Sequence, residues 1–382
     1  MMENNKLHDM PSFVMVDTNE KLTTCCEKAQ QKAVVTLDTE FVRTRTFYPQ
    51  LGLIQLYDGE QLSLIDPLAI TDFSPFCALL ANRNVIKVLH ACSEDLEVFK
   101  HQFNQLPEPM LDTQVMAQFL GAGVSVGLAT LLKEYFDFDM DKGASRTDWL
   151  ARPLSNVQLT YAAGDVAYLL PLFEAINTRL KASPWFDAAW DDCQSLLLKS
   201  QKTISSEKMY LKIPQIQKLA GIELCRIQHL AAWRYEEAQK RDLALNFVVK
   251  AENLWKVAKN GAKSTFDLLE IGLHPHEVRI HGKKILRILE KCEKEPQENY
   301  PILEKNLYEI EGYKQLSKEL RDFLNKNFSE NVPVELIANK KRVDNFLKWY
   351  YLLEKDETKL PTLLQGWRKP FGEQLLKYLE SK

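Results

Sequence analysis

Asp38 and Glu40 lie two residues apart in Val34-Val35-Thr36-Leu37-Asp38-Thr39-Glu40-Phe41-Val42. This β-branched, apolar run predicts a buried strand, so both carboxylates point to the same face. Two carboxylates at one end of such a strand are costly to bury unless something neutralises them, and a divalent cation does that well. The spacing alone is weak evidence: with 52 acidic residues in the chain, chance places about seven acidic pairs two apart. Asp95-Leu96-Glu97 and Asp137-Phe138-Asp139 are two others. Asp95 sits in the first turn of a helix that Ser93 would cap, directly after the apolar run Asn84 to Leu89. There a carboxylate either complements the helix dipole or turns into a crevice at the end of a sheet. Tyr161 and Asp165, four apart, share one face of a helical pattern running from Val157 to Leu180. Gly164 between them costs a helix about 1 kcal/mol relative to alanine, which suggests that another group approaches its backbone closely.

Positioning these groups takes a sheet with helices packed on it. Leu51 to Tyr57 and Gln61 to Ile65 flank Asp58-Gly59, a hairpin signal, and sheet followed by helices reads as an α/β or mixed-sheet domain. A length of 382 residues suggests two or three domains at roughly 150 residues each. Polar stretches at 201–208 and 291–299 read as linkers, which divides the chain into 1–200, 209–290 and 300–382. The middle segment is helical in pattern: Leu224, Ile227, Leu230, Ala231 and Ala238 define a helix over Glu223 to Arg241. Ser264 and Pro275 open two more helices. The last segment is helical too, most clearly over Val334 to Tyr351, and no residue-level repeat links it to the middle one.

A composition of 45% hydrophobic and 26% charged residues excludes a disordered chain. No apolar run approaches the ~18 residues of a membrane span, and Met1-Met2-Glu3-Asn4-Asn5 lacks a signal-peptide layout, so a cytoplasmic protein with no membrane contact is expected. The seven cysteines are scattered and never spaced C-x-x-C, which argues against a disulfide framework or a thiolate zinc site and for reduced thiols, most of them core filler. The net charge of −3 hides a segregation: residues 1–200 carry −10, residues 201–290 carry +6 and residues 291–382 carry +1. An acidic front joined to a basic middle keeps a nucleic-acid partner open.

Three stretches, taken in order, resemble the three motifs of the DEDD exonuclease superfamily. They are Asp38-Thr39-Glu40-Phe41-Val42-Arg43, His90-Ala91-Cys92-Ser93-Glu94-Asp95-Leu96 and Tyr161-Ala162-Ala163-Gly164-Asp165. Residues 43–56 and the run Ser145-Arg146-Thr147-Asp148-Trp149-Leu150-Ala151-Arg152-Pro153-Leu154 resemble the bacterial ribonuclease D family within it. Lys240-Arg241-Asp242-Leu243-Ala244-Leu245-Asn246-Phe247-Val248-Val249-Lys250 is similar to that family's helicase-and-RNase-D C-terminal (HRDC) module, and Gly366-Trp367-Arg368 fits a second, more divergent copy. The resemblance implies a ribonuclease H-like (DnaQ-like) α/β mixed-sheet exonuclease domain followed by two all-α HRDC-type modules. It also implies that Asp38, Glu40, Asp95 and Asp165 hold two divalent ions, Mg²⁺ or Mn²⁺. Two ions about 3.5–4 Å apart can stabilise both the attacking and the leaving oxygen of an in-line displacement at phosphorus. Asp38, Glu40 and Asp165 would serve the attacking water, and Asp38, with Asp95 more indirectly, the leaving 3′ oxygen. Threonine at 160 and tyrosine at 161 place the chain in the tyrosine branch. There Tyr161 mainly orients the water, since a phenol with a reference pKa near 10 is a poor base. Gly164, where the family more often has alanine, and Cys92, where it has a smaller residue, are departures that remove no ligand.

The remaining candidates are read more plainly. His90 at a strand end is expected to be structural, His274 and His276 to be loop or helix-start residues rather than a zinc site, and Trp149 and Phe41 to be core. Arg43 and Arg45 either hold phosphates or are solvated. Lys240, Arg241, Lys250, Lys256, Lys259 and Lys263 concentrate positive charge that could hold the body of an RNA. The expectation is a 3′-5′ exoribonuclease trimming structured RNA such as tRNA precursors and releasing 5′-phosphate mononucleotides, with no obligate protein partner. A DNA exonuclease and a non-catalytic RNA-binding scaffold are the alternatives.

Overall fold

The computed structural model describes residues 10–140, 143–144, 146–304, 307–328 and 333–381; Ser145 of the motif at 145–154 and the opening Met1 to Asn5 lie outside them. The chain divides into two compact units. The first comprises Met1–Phe41, Leu51–Gln201 and Lys305–Lys382, the second Val42–Gln50 and Lys202–Glu304.

The first unit is built on a six-stranded sheet. In chain order its elements are β1 (Phe13–Val16), α1 (Asn19–Ala29), β2 (Val34–Val42), β3 (Gln50–Tyr57), β4 (Leu62–Ile65), α2 (Ser74–Ala81), β5 (Ile86–Leu89), α3 (Ser93–Phe103) and β6 (Met110–Asp112). Then come α4 (Thr113–Gln118), α5 (Leu128–Phe136), α6 (Asn156–Ala167), α7 (Leu169–Lys181) and α8 (Phe186–Gln201). The strand order is β1-β4-β3-β2-β5-β6. β3 and β4 pair antiparallel with Tyr57 opposite Leu62, while β1–β4, β2–β5 and β5–β6 are parallel. The hairpin closes as its sequence predicts, because Asp58 Oδ1 accepts from the backbone N–H of Glu60 and Gln61. β2 pairs with β5 from Val34 opposite Ile86 as far as Thr36 opposite Val88, so Asp38 and Glu40 lie beyond this ladder. A strand end beside a helix start is where parallel sheets form their crevices.

Two elements differ from the sequence expectation. The helical pattern over Val157 to Leu180 is divided at Tyr168 into α6 and α7, and together Asn156–Lys181 is long and apolar enough to cross a membrane. Half of its most apolar stretch is buried inside the first unit, through residues such as Ala162, Ala163, Val166, Leu172 and Ile176, so its apolarity is that of a core helix. Ser93 does not cap α3: Cys92 holds the cap position without a side-chain hydrogen bond.

The second unit contains α9 (Ile222–Arg241), α10 (Leu245–Val248), α11 (Ala251–Asn260), α12 (Thr265–Glu270) and α13 (Pro275–Glu293) around a core of its own. Ser264 caps α12 and His274 caps α13 with Pro275 in the first turn, as the start signals predict. Residues 42–50 belong here because Asp242 Oδ1 accepts from the N–H of Phe47 and Tyr48 at 3.0 and 2.9 Å, and Ala244 N–H donates to Arg45 O.

The last segment, α14 (Tyr313–Phe328), α15 (Val334–Ala338), α16 (Lys340–Tyr351) and α17 (Lys369–Glu380), groups with the sheet in the first compact unit. Its apolar residues merge with those of α4, α7 and α8 into one core. Trp367 packs edge-on against Phe119 and Trp185. The buried Arg368 guanidinium donates twice to Asp192, at 2.8 and 2.6 Å.

Candidate active site

Three elements deliver the acids, and buried polar ties fix them together. β2 is tied to α6 by the Thr36 hydroxyl, which donates to Val166 O at 2.9 Å, bringing Asp165 beside Asp38 and Glu40. The carboxylate oxygens of Asp38, Glu40 and Asp165 lie within 4.8 Å of one another, a spacing one cation can bridge. β2 is tied to α3 by the Thr39 hydroxyl, which donates to Asp95 Oδ1 and holds the buried Asp95 alongside this triad.

Asp112 makes the turn before α3 possible, and nothing in the motif spacing pointed to it. Ala91 adopts φ +55°, a region that costs a residue with a Cβ about 1–2 kcal/mol. Asp112 accepts from the N–H of Ala91 and of Cys92, each at 3.0 Å, and also caps α4 through the N–H of Gln114 and Val115. The readable signal is an Asp immediately before a helix; its second task needs a partner 21 residues away.

The segment at 146–154 lies against the sheet through Gly52. A Cβ there would come within 2.5 Å of Trp149 O. Arg152 pairs with Asp66 through two nitrogens, at 2.7 and 2.6 Å, and donates to Gly52 O. Gln158, on the first turn of α6, reaches Thr147 and Asp148 O. Trp149 is buried, with its ring centroid 6.3 Å from that of Tyr161, so it is core that backs the phenol. His90 is structural: its ring nitrogens meet Thr113 Oγ1 and Val126 O. Gly164 is not crowded. A Cβ would find Met140 and Tyr168 at 3.5 Å, ordinary contact, so the close approach inferred from this glycine is absent and alanine fits.

The electrostatics follow from packing four acids into a half-buried cleft. Burial, then the charges of Asp95, Asp165 and Glu40, hold the Asp38 carboxyl well above its usual range. Burial and the charges of Asp165 and Asp95 push Glu40 up to about 9. Burial raises Asp165 to about 7 against the hydrogen bond from Tyr161, and Asp95 to about 7 against the one from Thr39. Such a cluster holds protons near neutral pH until a cation takes their place, so the donor set fits a hard divalent metal. Burial and the charges of Asp165, Glu40 and Asp38 raise the Tyr161 phenol, leaving it a neutral O–H hydrogen-bonded to Asp165. Beside it opens a cleft of about 450 Å³ whose lining includes Phe138, Met140, Val157, Thr160, Tyr161 and Tyr168. It is apolar enough and large enough for a nucleobase.

The basic candidates fall elsewhere in the chain. Arg43, Arg45, Lys240, Arg241, Lys250 and Lys256 all belong to the second unit and are exposed. The Asp242 contacts bring the loop carrying Arg43 and Arg45 to the C-terminal end of α9, where Lys240 and Arg241 lie. Arg45 also stacks on Phe247, 5.8 Å from its centroid. Arg241 contacts Glu237, and Lys259 pairs with Glu223.

A mixed sheet presenting clustered acids and a tyrosine, followed by helical modules, defines a 3′-5′ exonuclease with HRDC domains. Family models agree segment by segment: a 3′-5′ exonuclease model matches residues 13–181, an HRDC domain model 223–289, and a ribonuclease D C-terminal HRDC domain model 311–376. The ribonuclease D of Haemophilus influenzae is 50% identical over 372 residues, covering 97% of this chain and 93% of the relative. That of Escherichia coli is 42% identical over 94% of this chain and 95% of the relative. The crystal structure of Escherichia coli RNase D, described as an exoribonuclease involved in structured RNA processing, matches with a TM-score of 0.92 at 41% identity, over 97% of this chain and 99% of that one. The chain belongs to the ribonuclease D family and is a 3′-5′ exoribonuclease. This reading stands over the DNA-exonuclease and scaffold alternatives.

Proposed function

We propose that this enzyme trims the 3′ ends of structured RNAs such as tRNA precursors in the cytoplasm, releasing 5′-phosphate mononucleotides. The convergence of Asp38, Glu40 and Asp165 within 4.8 Å, with Asp95 held alongside by Thr39, carries the reading. These four acids would hold two divalent ions, Mg²⁺ or Mn²⁺, which when bound supply the activated water and stabilise the leaving 3′ oxygen. Tyr161 keeps its proton and orients the water against Asp165, which its raised phenol supports. The apolar cleft beside Tyr161 seats the terminal base. Arg43, Arg45, Lys240, Arg241, Lys250 and Lys256 contribute a salt-dependent attraction for the RNA body.

The test uses a 5′-labelled structured RNA with a 3′ extension, the matching DNA, and Mg²⁺ or Mn²⁺. Stepwise shortening of the RNA with release of 5′-mononucleotides is expected from the native chain, and its loss from Asp38→Ala. No 3′ shortening, or equal activity in Asp38→Ala, sinks the proposal; a preference for the DNA overturns its RNA part.

A further inference from the structure

Two of the seven cysteines are not core filler. Cys25, Cys26 and Cys92 pack into one apolar core of the first unit and Cys193 into the other. Cys225 and Cys292 are just as buried but belong to none of the apolar cores; their thiols meet each other. Cys225 and His229 lie one turn apart on α9, and Cys292 is in the last turn of α13. The sulfurs of Cys225 and Cys292 and a ring nitrogen of His229 lie within 4.8 Å of one another. Past the end of α13 the backbone N–H of Glu295 turns back to Cys292 O. This turn sets Glu295 Oε2 3.0 Å from His229 Nε2 and 3.6 Å from Cys225 Sγ.

We propose that Cys225, His229, Cys292 and Glu295 form a structural zinc site that staples the end of α13 to α9. Bond lengths of about 2.0–2.3 Å in a tetrahedron put neighbouring ligand atoms roughly 3.3–3.8 Å apart; Glu295 Oε2 and Cys225 Sγ stand at 3.6 Å, and Cys225, His229 and Cys292 lie within 4.8 Å of one another, within reach of that geometry. The donor chemistry separates this site from the acids of the first unit. Two thiolates and an imidazole select a borderline-soft ion such as Zn²⁺, whereas an all-carboxylate cluster suits Mg²⁺ or Mn²⁺. Access is open, because His229 and Glu295 are each about a quarter exposed while both sulfurs are buried. The ion would close a loop running from α9 through α13, fixing the small helical unit independently of RNA. The absence of any C-x-x-C pair hid the site, since its ligands come from two helices some 70 residues apart.

The test is made on the full chain carrying Asp38→Ala, reduced, stripped with a chelator and titrated with Co²⁺. Binding of one Co²⁺ with a thiolate-to-cobalt charge-transfer band and intense tetrahedral visible bands is expected, with displacement by one equivalent of Zn²⁺ and a rise in Tm on adding Zn²⁺. His229→Gln, altering a partly exposed residue, should weaken uptake at least about tenfold, Cys292→Ser should lower the charge-transfer band to about half or less, Cys225→Ser with Cys292→Ser should abolish it, and Cys77→Ser should leave it unchanged. Absence of the band in the reduced Asp38→Ala chain, its full intensity in Cys292→Ser, or its persistence in the Cys225→Ser, Cys292→Ser double variant overturns the proposal.

Discussion

The acids of the first unit and the cations of the second are charged clusters built on opposite plans. Asp38, Glu40 and Asp165 are partly withdrawn from water and Asp95 is buried; the Thr36 hydroxyl ties strand to helix, the Thr39 hydroxyl donates to Asp95, and Asp112 accepts from the backbone N–H groups that lead into α3. Lys240, Arg241, Lys250 and Lys256 stand in solvent, on helices whose stability comes from an apolar core beneath them. Buried like charges store a demand for a counter-ion at one geometry. Exposed charges supply an attraction that depends on number and salt more than on placement. The first plan suits bond cleavage and the second suits holding a polyanion.

Asp38→Ala should press hardest on this contrast. Activity is expected to fall about 10³-fold or more, the scale of several kcal/mol of lost transition-state stabilisation, while RNA affinity measured by gel shift stays within about twofold. A comparable loss of RNA binding would mean that the two clusters are not separable. Next in size is Asp192→Ala, which leaves the buried Arg368 guanidinium unpaired and should cost about 3–5 kcal/mol in denaturant unfolding. A change under about 1 kcal/mol would show that α14 to α17 are not part of the first unit's cooperative core. For the same reason, truncating the chain after the first 208 residues is no clean test of the basic unit, because it strips apolar cover from α4, α7 and α8.

Thr39→Val keeps the shape of the side chain but removes the donor to Asp95, and a 10–100-fold loss in metal affinity or activity is expected. Equal activity would mean that Asp95 needs no such support. The raised acids also give a signed pH effect. Without metal, the folded chain keeps protons on Glu40 up to about 9 and on Asp95 and Asp165 up to about 7, whereas the unfolded chain loses them near pH 4. The stability of the metal-free protein should therefore fall as pH rises from 4 through 7 to 9. If Mg²⁺ takes the place of these protons, as proposed, the Tm increment it produces should grow with pH over that window; an increment that shrinks would contradict the raised acids. The smallest effect belongs to the other cluster. Lys240→Gln with Arg241→Gln should weaken RNA binding several-fold at low salt and lower the salt slope by about one for each phosphate that is no longer neutralised, with kcat unchanged.

What could be read from the sequence were relations within one element. The alternation of β2 aligns Asp38 with Glu40, the helical repeat of α6 aligns Tyr161 with Asp165, and the caps at Ser264 and His274 stand next to the turns they close. Motif order supplied the rest of the acid set by resemblance. The relations left to the fold join residues far apart: Thr39 to Asp95 across 56 positions, Arg368 to Asp192 across 176, and Cys225 to Glu295 across 70. Periodicity reports which face a side chain takes on its own helix or strand, because backbone geometry repeats locally. Which two faces meet depends on how whole cores are filled. Only tertiary packing could therefore decide that the last helical segment merges with the sheet unit, that Gly164 is uncrowded while Gly52 leaves no room for a Cβ, and that two of seven scattered cysteines lie side by side near a histidine.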